Sequence, residues 1–295
     1  MKTIGICAPS NWVSSERIEQ GISVLKELGA QVKIHPQVEE RHFQCAGTHE
    51  QRAQALMDLY ADPEVDIIMA AAGGHRALHL MEKLDYEVIK NNPKTLIGFS
   101  DTTALLNSTF SQSDMRNIYG PSLSSFAYGL DKKDLHTFAT FLKEGTLTGE
   151  LPIEYFAGQT GTKTSHIIGG NLCLFSNIMH TKYQPKLKGA VLILEDDGEE
   201  LRNVDRMLLH LKNQGVFNKV SAVILGEFTN IKDTEHEGRP FAKDLNSILE
   251  EHMQDVPCAV YTNAPFGHGS RLFPIPIGQA DIVLQKNKLS FKMAT

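Results

Sequence analysis

The sequence has few cysteines, and none of them lie close together. The 295 residues include four, Cys7, Cys45, Cys173 and Cys258. No CxxC pair is present, so the spacing predicts neither a zinc site nor a disulfide framework. We expect these cysteines to be small packing residues in a reducing compartment, and we expect no bound metal.

Clusters of basic residues and long apolar runs are also missing. Lys and Arg number 29 against 35 Asp and Glu, which gives a net charge of −6, and the longest basic run is Lys132-Lys133. Phosphate neutralisation needs a dense basic face, so a general affinity for nucleic acid polymers is excluded. No apolar run approaches the roughly 18 residues that span a bilayer. The N-terminal apolar run, Thr3–Ala8, is shorter than the core of a signal peptide, so we expect a cytoplasmic protein without a membrane partner.

The motifs of common cofactor sites are absent. The glycines at positions 73 and 74 belong to neither a GxGxxG nor a P-loop pattern. His75 and His79 are four residues apart, but the glutamate of an HExxH zinc motif is missing. We therefore expect no nucleotide cofactor and no metal.

Segments that resemble strands and helices alternate along the chain. Apolar segments such as Thr3–Ala8 and Leu96–Phe99 predict buried strands, and segments with apolar residues at helical spacing, such as Ser15–Ala30, separate them. This alternation predicts an α/β fold with a parallel sheet that is covered on both faces. In such sheets, ligands bind at the carboxyl ends of the strands.

The composition changes between residues 146 and 164, where glycine and threonine are frequent and no helical period is present. We expect this stretch to be a linker between an N-terminal domain, residues 1–145, and a C-terminal α/β unit, residues 165–295. Two short segments around Lys286-Asn287 predict a terminal hairpin. The segment before them, Pro274–Gly278, has the sequence PIPIG and predicts a rigid structural loop.

The segment Gly98–Thr102, GFSDT, places a serine where a buried strand meets a helix. One interpretation is that Ser100 caps the helix. The other is a nucleophile on a sharp turn, where the backbone N–H of Asp101 helps to stabilise an oxyanion. The second glycine of a GxSxG elbow is missing, so the local sequence leaves both interpretations open.

Two further strand ends supply the partners that a nucleophilic serine needs. Glu195 and Asp196 end a buried strand, where a carboxylate either faces a site or pairs with a nearby arginine. His268 lies between two glycines after another strand, and the alternative is a loop histidine without a role. A serine, an acid and a histidine in this order are the groups of a hydrolytic triad.

Two glycine pairs are candidate ligand contacts. Gly73-Gly74 lies between a strand and a helical segment, where its backbone amides can approach a phosphate or an oxyanion, or where it forms only a tight turn. The second pair precedes Asn171, which either caps the next segment or faces substrate. A non-catalytic protein that binds an anionic ligand with these loops is the alternative from another functional class.

Six blocks carry a family resemblance along the chain. In order, they are APS, GG…LDY, NPKTLIGFSD, IGGNL, LED…DRML and PFGH…PIG. Together they resemble the serine LD-carboxypeptidase family, which includes muropeptide LD-carboxypeptidases and microcin C immunity peptidases. The resemblance implies an N-terminal Rossmann-like domain, a C-terminal domain with its own sheet, an active site between them, and a homodimer.

The resemblance also implies a role for each candidate residue. The nucleophile matches Ser100, the acid matches Glu195, and the histidine of the GH block matches His268. The oxyanion amides come from Asp101 and from the glycine pair, at Gly74. The implied enzyme is a serine carboxypeptidase or amidase without a cofactor, and it cleaves an amide bond near the C-terminus of a small unusual peptide.

One block departs from the muropeptide enzymes. Arg76 stands where they commonly carry a third glycine, and His79 stands where they carry an arginine. The aromatic-bearing loop with which the immunity peptidases hold a nucleotide is not evident, and the only tryptophan is Trp12. The altered glycine block disfavours a housekeeping muropeptide enzyme, because the immunity peptidases also depart from it, whereas the missing aromatic loop disfavours a nucleotide substrate. From the resemblance as a whole, we expect an LD-peptide of murein type as substrate. The alternative is an amidase of the microcin C immunity type that acts on peptide–nucleotide or aminoacyl-adenylate analogues.

Overall fold

The computed structural model describes residues 1–161, 164–242 and 244–294. Residues 162 and 163 of the predicted linker, and residues 243 and 295 of the predicted C-terminal domain, lie outside the described residues. Within the described ranges, every helix is too short or too polar to cross a bilayer.

Strands and helices alternate through the first half of the chain. The strands are β1 (Thr3–Cys7), β2 (Gln31–Ile34), β3 (Ile67–Ala70), β4 (Thr95–Gly98) and β5 (Asn117–Tyr119). The α-helices are α1 (Ser15–Glu27), α2 (His49–Ala61), α3 (Tyr86–Asn91), α4 (Thr103–Ser113) and α5 (Lys132–Glu144). Short 3-10 helices form at Pro36–Glu39, Ala77–Lys83, Ser100–Thr102 and Leu123–Tyr128.

The second half begins and ends with strands. The strands are β6 (Thr146–Pro152), β7 (Glu154–Ala157), β8 (His166–Asn171), β9 (Ala190–Asp197), β10 (Ala222–Thr229), β11 (Ala259–Thr262), β12 (Ile275–Gln279), β13 (Asp281–Leu284) and β14 (Lys288–Ala294). The α-helices are α6 (Leu172–Ile178), α7 (Leu201–Asn213) and α8 (Leu245–Met253).

Eleven strands form one large sheet in the order β2-β1-β3-β4-β5-β12-β8-β9-β10-β11-β7. The pairs from β2 to β5 and from β8 to β11 are parallel, and β12 is antiparallel to both β5 and β8. The predicted α/β fold is confirmed. The parallel sheets of the two halves are joined edge to edge, because they share β12.

The segment that was expected to be a rigid loop, PIPIG, is instead most of β12, so that prediction is wrong. Prolines are unfavourable inside a sheet because they lack a backbone N–H. Pro276 is tolerated because it pairs only with Ile118 of β5, whereas β8 pairs further along, with Gly278 and Gln279.

A second, smaller sheet has the order β13-β14-β6. Strands β13 and β14 form the terminal hairpin, with Leu284 opposite Leu289, so the hairpin prediction is confirmed. Strand β6 lies within the predicted linker and pairs with β14 along its whole length. The exact domain boundaries stay a prediction.

The central strands are buried on both faces. Every residue of β3 and β4 is buried, as expected for a parallel sheet that helices cover on both sides. Cys7, Cys45 and Cys258 lie in the core, and burial raises the pKa of the Cys7 thiol to about 12. Side chains that can reach a ligand are therefore expected at the strand ends and in the loops that follow them.

Candidate active site

Ser100 lies on a sharp turn between β4 and α4. Its φ is 57°, in the left-handed region that residues with a Cβ rarely adopt. A methyl group on Gly73 would lie 2.9 Å from Ser100 Cβ, so the neighbouring loop fits this turn only with glycine. Thr102, not Ser100, occupies the cap position of α4. The strained turn therefore holds the hydroxyl out of the helix rather than using it as a cap.

His268 and Glu195 form a direct pair. His268 Nδ1 lies 2.7 Å from Glu195 Oε2, and the Glu195 side chain is completely buried. Gly267 precedes the histidine with a φ of 126°, and a methyl group there would lie 2.8 Å from Glu195 Oε2. The glycine lets the histidine loop pass close to the carboxylate. With Nδ1 bonded to Glu195, Nε2 is the ring nitrogen available to a serine hydroxyl.

Tyr119 is a site residue that sequence reasoning missed. It ends β5, next to the strand that precedes Ser100, and its Oη donates a hydrogen bond of 2.6 Å to Glu195 Oε1. Ser100 N donates to the same Oη at 3.4 Å. Burial is the main cause that raises the pKa of Tyr119 well above its usual value, and the charge of Glu195 adds to it. The phenol therefore stays a donor to the carboxylate.

Glu195 and Asp196 serve different faces of the sheet. Successive side chains of a strand point to opposite faces, so only one of them can meet His268. Asp196 instead accepts hydrogen bonds from Asn171 Nδ2 at 2.7 Å and from Cys173 N at 3.0 Å. Burial, together with the charge of Glu195, raises the pKa of Asp196 to about 7.

The pKa of His268 is raised above the usual histidine value. Burial acts to lower it, but the hydrogen bond to Glu195 and the charges of Glu195, Asp197 and Asp196 outweigh burial. Negative charge near an imidazole favours its protonated form. The surroundings thus stabilise the imidazolium that forms when a histidine accepts a proton.

Ser100 and His268 line one cavity of about 560 Å³, together with Gly73 and Gly74. The ring of Phe99 lies 4.9 Å from the imidazole, measured between ring centroids. A second cavity of about 300 Å³ also contains Phe99, Gly73 and His268 in its lining, so the two are parts of one cleft. The structure thus brings Ser100, His268 and, through its contact with His268, Glu195 to one place.

The glycine pair is held against the first loop of the chain. Gly74 has a φ of 134°, and a methyl group on it would lie 2.2 Å from Asn11 Cγ. Asn11 N donates to Gly73 O at 3.3 Å, and Asn11 Oδ1 accepts from His75 N at 3.2 Å. These contacts fix a backbone path beside Ser100 that only glycine can follow.

The side chain of Asp101 is structural. It is buried and accepts hydrogen bonds from Ser10 Oγ at 2.6 Å and from Ala77 N at 2.9 Å. Burial raises its pKa, and these two donors oppose the rise. The carboxylate ties the nucleophile turn to the two loops beside it, and the predicted use of its N–H for an oxyanion stays a prediction.

Comparisons with known proteins match both halves of the chain. Residues 4–120 match the model of the LD-carboxypeptidase N-terminal domain, and residues 164–281 match that of the C-terminal domain. A putative carboxypeptidase of Vibrio cholerae is 31% identical over 286 residues, which cover 86% of this chain and 84% of that protein. The chain belongs to the LD-carboxypeptidase family. It is therefore an enzyme of the peptidase class, as predicted.

Two further relatives represent two branches of the LD-carboxypeptidase family. The microcin C7 self-immunity protein MccF of Escherichia coli is 28% identical over 303 residues, which cover 92% of this chain and 86% of MccF. The structure of a muramoyltetrapeptide carboxypeptidase from Oxalobacter formigenes is 25% identical and has a TM-score of 0.85. The aligned region covers 100% of this chain and 99% of the chain of that carboxypeptidase.

Asn171, the asparagine of the IGGN block, caps α6. Its side chain accepts a hydrogen bond from Leu174 N at 3.1 Å and donates the bond to Asp196. It is 4% exposed and does not line either cavity beside Ser100. The structure therefore places it as a cap, and a contact with substrate stays a prediction.

Arg76 and His79, the two departures from the muropeptide enzymes, both contact His49. Arg76 has a φ of 77°, so it keeps the left-handed conformation that suits the family's third glycine. Its Nε donates to His49 Nε2 at 3.3 Å. The rings of His49 and His79 stack with centroids 4.5 Å apart. This cluster does not line the cavity of Ser100.

Proposed function

We propose that the chain is a serine carboxypeptidase whose triad is Ser100, Glu195 and His268. The observation that carries the proposal is the 2.7 Å contact between Glu195 and His268, in a cleft that Ser100 enters from a left-handed turn. Family membership supports the reaction class. An orienting acid, a histidine base and a hydroxyl raised from a turn are the parts that acyl transfer needs.

In this mechanism, Ser100 Oγ attacks the carbonyl carbon of the scissile amide while His268 Nε2 takes the hydroxyl proton. Glu195 holds the imidazole in the tautomer with its proton on Nδ1 and stabilises the imidazolium. The backbone N–H groups of Asp101 and Gly74 are the proposed donors to the oxyanion. His268 then gives its proton to the leaving amine, and water hydrolyses the acyl-enzyme by the same base.

The proposed substrate is an LD-peptide of murein type, from which the enzyme releases a C-terminal D-amino acid. A muramoyltetrapeptide carboxypeptidase shares the fold at 25% identity, and a probable murein peptide carboxypeptidase of Bacillus subtilis is 28% identical over 282 residues. The homodimeric state and the cytoplasmic location expected from the sequence stay predictions.

One observation favours a second substrate class, the aminoacyl-nucleotide analogues. Trp12 lines the cavity of Ser100 and is 43% exposed, and Arg41 stacks on its ring, so the part of the ring that Arg41 leaves uncovered offers a stacking surface for a nucleobase. The microcin C7 self-immunity protein is also a relative, at 28% identity. A Trp12→Leu variant that loses turnover of an aminoacyl sulfamoyl adenosine, but not of a murein tetrapeptide, would support this alternative.

A mass-spectrometric screen of D-amino-acid-containing peptides, with the aminoacyl sulfamoyl adenosine in parallel, tests the proposal. We expect release of the C-terminal D-residue by the natural chain and a loss of nearly all turnover in Ser100→Ala. Ala keeps a Cβ at the left-handed position, so the fold should be unchanged in circular dichroism. Equal turnover by both proteins would refute the triad. A serine-reactive phosphonate that gives no adduct on Ser100, together with no turnover, would favour the non-catalytic binding protein.

A further inference from the structure

Arg17 is the cationic side chain in the cavity of the proposed nucleophile. It lies in the first turn of α1 and lines this cavity with Ser100, His268 and Gly74. No aspartate or glutamate of the described residues lines the same cavity. A protein with a net charge of −6 therefore places one arginine beside its reactive hydroxyl.

The guanidinium of Arg17 has no carboxylate partner within the described ranges of the chain, and it makes no hydrogen bond there. It stacks on the ring of Tyr128, with Cζ 4.8 Å from the ring centroid. Stacking occupies the face of the guanidinium and leaves the N–H groups at its edge free. Those groups have the fork geometry that binds a carboxylate through two parallel hydrogen bonds.

Two other arginines near the cleft differ from Arg17. Arg271 lines the adjoining cavity, but it is paired with Asp134 and Asp131. Arg41 stacks on Trp12, but its N–H groups donate to the backbone oxygens of Val38, Glu40 and Val13. Arg17 is thus the one of the three whose donors remain available to a ligand.

The backbone of α1 near Arg17 packs closely against a neighbouring element. Gly21, one helical turn along α1, faces the 3-10 helix Leu123–Tyr128 that carries the stacking partner. A methyl group on Gly21 would lie 2.4 Å from Leu123 O. Because α1 and this 3-10 helix are in direct backbone contact, the two backbone segments that carry Arg17 and Tyr128 are held side by side.

We infer that Arg17 binds the C-terminal carboxylate of the peptide substrate and so selects free C-termini. The inference rests on the proposed function, because a carboxypeptidase must hold the carboxylate of its leaving residue close to the scissile carbonyl. An unpaired arginine in the cavity of Ser100 meets that requirement. Hydrogen bonds to a charged group contribute enough free energy for about a tenfold or greater preference over an uncharged end.

Binding to the Ser100→Ala variant tests the inference without turnover. The ligands are the tetrapeptide L-Ala-γ-D-Glu-meso-diaminopimelyl-D-Ala and the same peptide with a C-terminal D-alaninamide, measured by calorimetry. We expect the acid to bind about tenfold or more tightly than the amide. Adding Arg17→Gln should remove this preference by weakening only the acid, and Arg17→Lys should keep part of it.

Lys26→Gln is the matched control, because it removes a positive charge from the exposed last turn of the same helix. It should leave the preference for the acid unchanged. The inference is overturned if Arg17→Gln leaves the ratio of the two dissociation constants unchanged, whether or not both ligands bind more weakly. It is also overturned if Lys26→Gln removes the preference for the acid as fully as Arg17→Gln does, or if the acid does not bind.

Turnover by the natural chain separates this inference from the proposed function. If Ser100→Ala prefers the acid through Arg17 but the natural chain releases no D-alanine, the proposed function fails and the carboxylate site stands. If D-alanine is released and Arg17→Gln changes acid and amide binding alike, the proposed function stands and the Arg17 site fails.

Discussion

Tyr119 connects the backbone of the proposed nucleophile to the buried acid. Its hydroxyl donates to Glu195 Oε1 at 2.6 Å and accepts from Ser100 N at 3.4 Å. Tyr119→Phe removes the donor and leaves one oxygen of a completely buried carboxylate without it. We expect a loss of about 1–3 kcal/mol in the free energy of unfolding, measured in urea, and a lower kcat.

Tyr183→Phe is the matched control for this prediction. Tyr183 is also buried, but its hydroxyl has no hydrogen-bond partner among the described residues. Removing that hydroxyl should leave stability unchanged or slightly higher, because no bond is lost. Equal losses from both substitutions would show that the Tyr119 hydroxyl contributes nothing specific to the site.

Under the proposed mechanism, the raised pKa of His268 should set the acidic limb of the pH–rate profile. The histidine acts as a base only when neutral, so kcat/KM should rise with pH through a pKa above the usual histidine value. Glu195→Gln removes the main charge that raises this pKa, so an NMR titration of the His268 ring should give a lower value. Turnover should fall by about 10⁴-fold, as when the acid of a serine triad becomes an amide.

Asp197→Asn is the control for the pKa prediction. Its charge also raises the pKa of His268, but within the described ranges it makes no hydrogen bond to the ring and instead accepts hydrogen bonds from Thr229 Oγ1 and Asn230 Nδ2. We expect a smaller downward shift and little loss of turnover. An upward shift of the His268 pKa in either variant would contradict the electrostatic account.

The sequence indicated some site residues more readily than others. Ser100 and His268 follow apolar strands and Glu195 lies near the end of one, and parallel topology brings such ends to one edge of a sheet. Tyr119 and Arg17 gave no comparable signal. Their roles depend on which strands are neighbours and on how α1 packs, and neither is contained in a local window of sequence.

At the scale of elements, helix α5 anchors the loop that carries His268. Asp134 of α5 is buried and accepts hydrogen bonds from Arg271 Nε, at 2.9 and 3.1 Å, and from Leu272 N at 3.0 Å. Arg271 lies three residues after His268 and is also near Asp131, at 3.4 Å. We therefore expect the ion pair to make Asp134 a positioning residue for the imidazole.

Asp134→Asn should weaken this anchor. We expect a loss of about 1.5–3 kcal/mol in stability from the weaker bonds to a charged group, with a lower kcat and a smaller change in KM. Arg271→Lys keeps the charge but not the two parallel hydrogen bonds that Nε and Nη2 donate to Asp134, so it should retain an intermediate kcat.

Glu237→Gln provides the control for Asp134→Asn, since it makes the same change at an exposed ion pair with Arg239. Surface pairs contribute about 0–1 kcal/mol, and neither residue lines the two cavities beside His268, so activity should not change. A destabilised Asp134→Asn variant with full kcat would mean that the anchor stabilises the fold without positioning His268.

Elements with a single clear period were easier to predict than those with mixed signals. The apolar strands β3 and β4 followed from composition alone. In β6, burial alternates along the strand from Leu147 to Leu151, but the three glycines and five threonines between residues 146 and 164 indicated a linker instead. The prolines of the PIPIG segment indicated a loop, although β12 is the strand that pairs with both β5 and β8.

At the scale of the whole molecule, β12 unites the two halves in one hydrogen-bonded sheet. Residues 275–277 pair with β5, and residues 278 and 279 pair with β8. The candidate active-site cleft is lined by Ser100 from one half and by His268 from the other. The two halves cannot move apart without breaking the hydrogen bonds between β12 and either β5 or β8. These bonds therefore limit the relative motion of the halves.

This architecture predicts one cooperative unfolding transition. The fluorescence of Trp12, in the first half, and far-UV circular dichroism, which reports both halves, should give the same urea midpoint. Ile277→Ala removes a fully buried side chain from β12 and should lower stability by about 2–5 kcal/mol, with both midpoints falling together.

Val283→Ala, on the smaller sheet, is the control for β12 because this side chain belongs to a residue that is 56% exposed. It should change neither midpoint appreciably. If Ile277→Ala instead lowers the circular dichroism midpoint and leaves the Trp12 midpoint in place, the halves unfold independently. The shared strand would then be a contact between two separate folding units, and the cleft geometry would depend on the interface around it rather than on a continuous sheet.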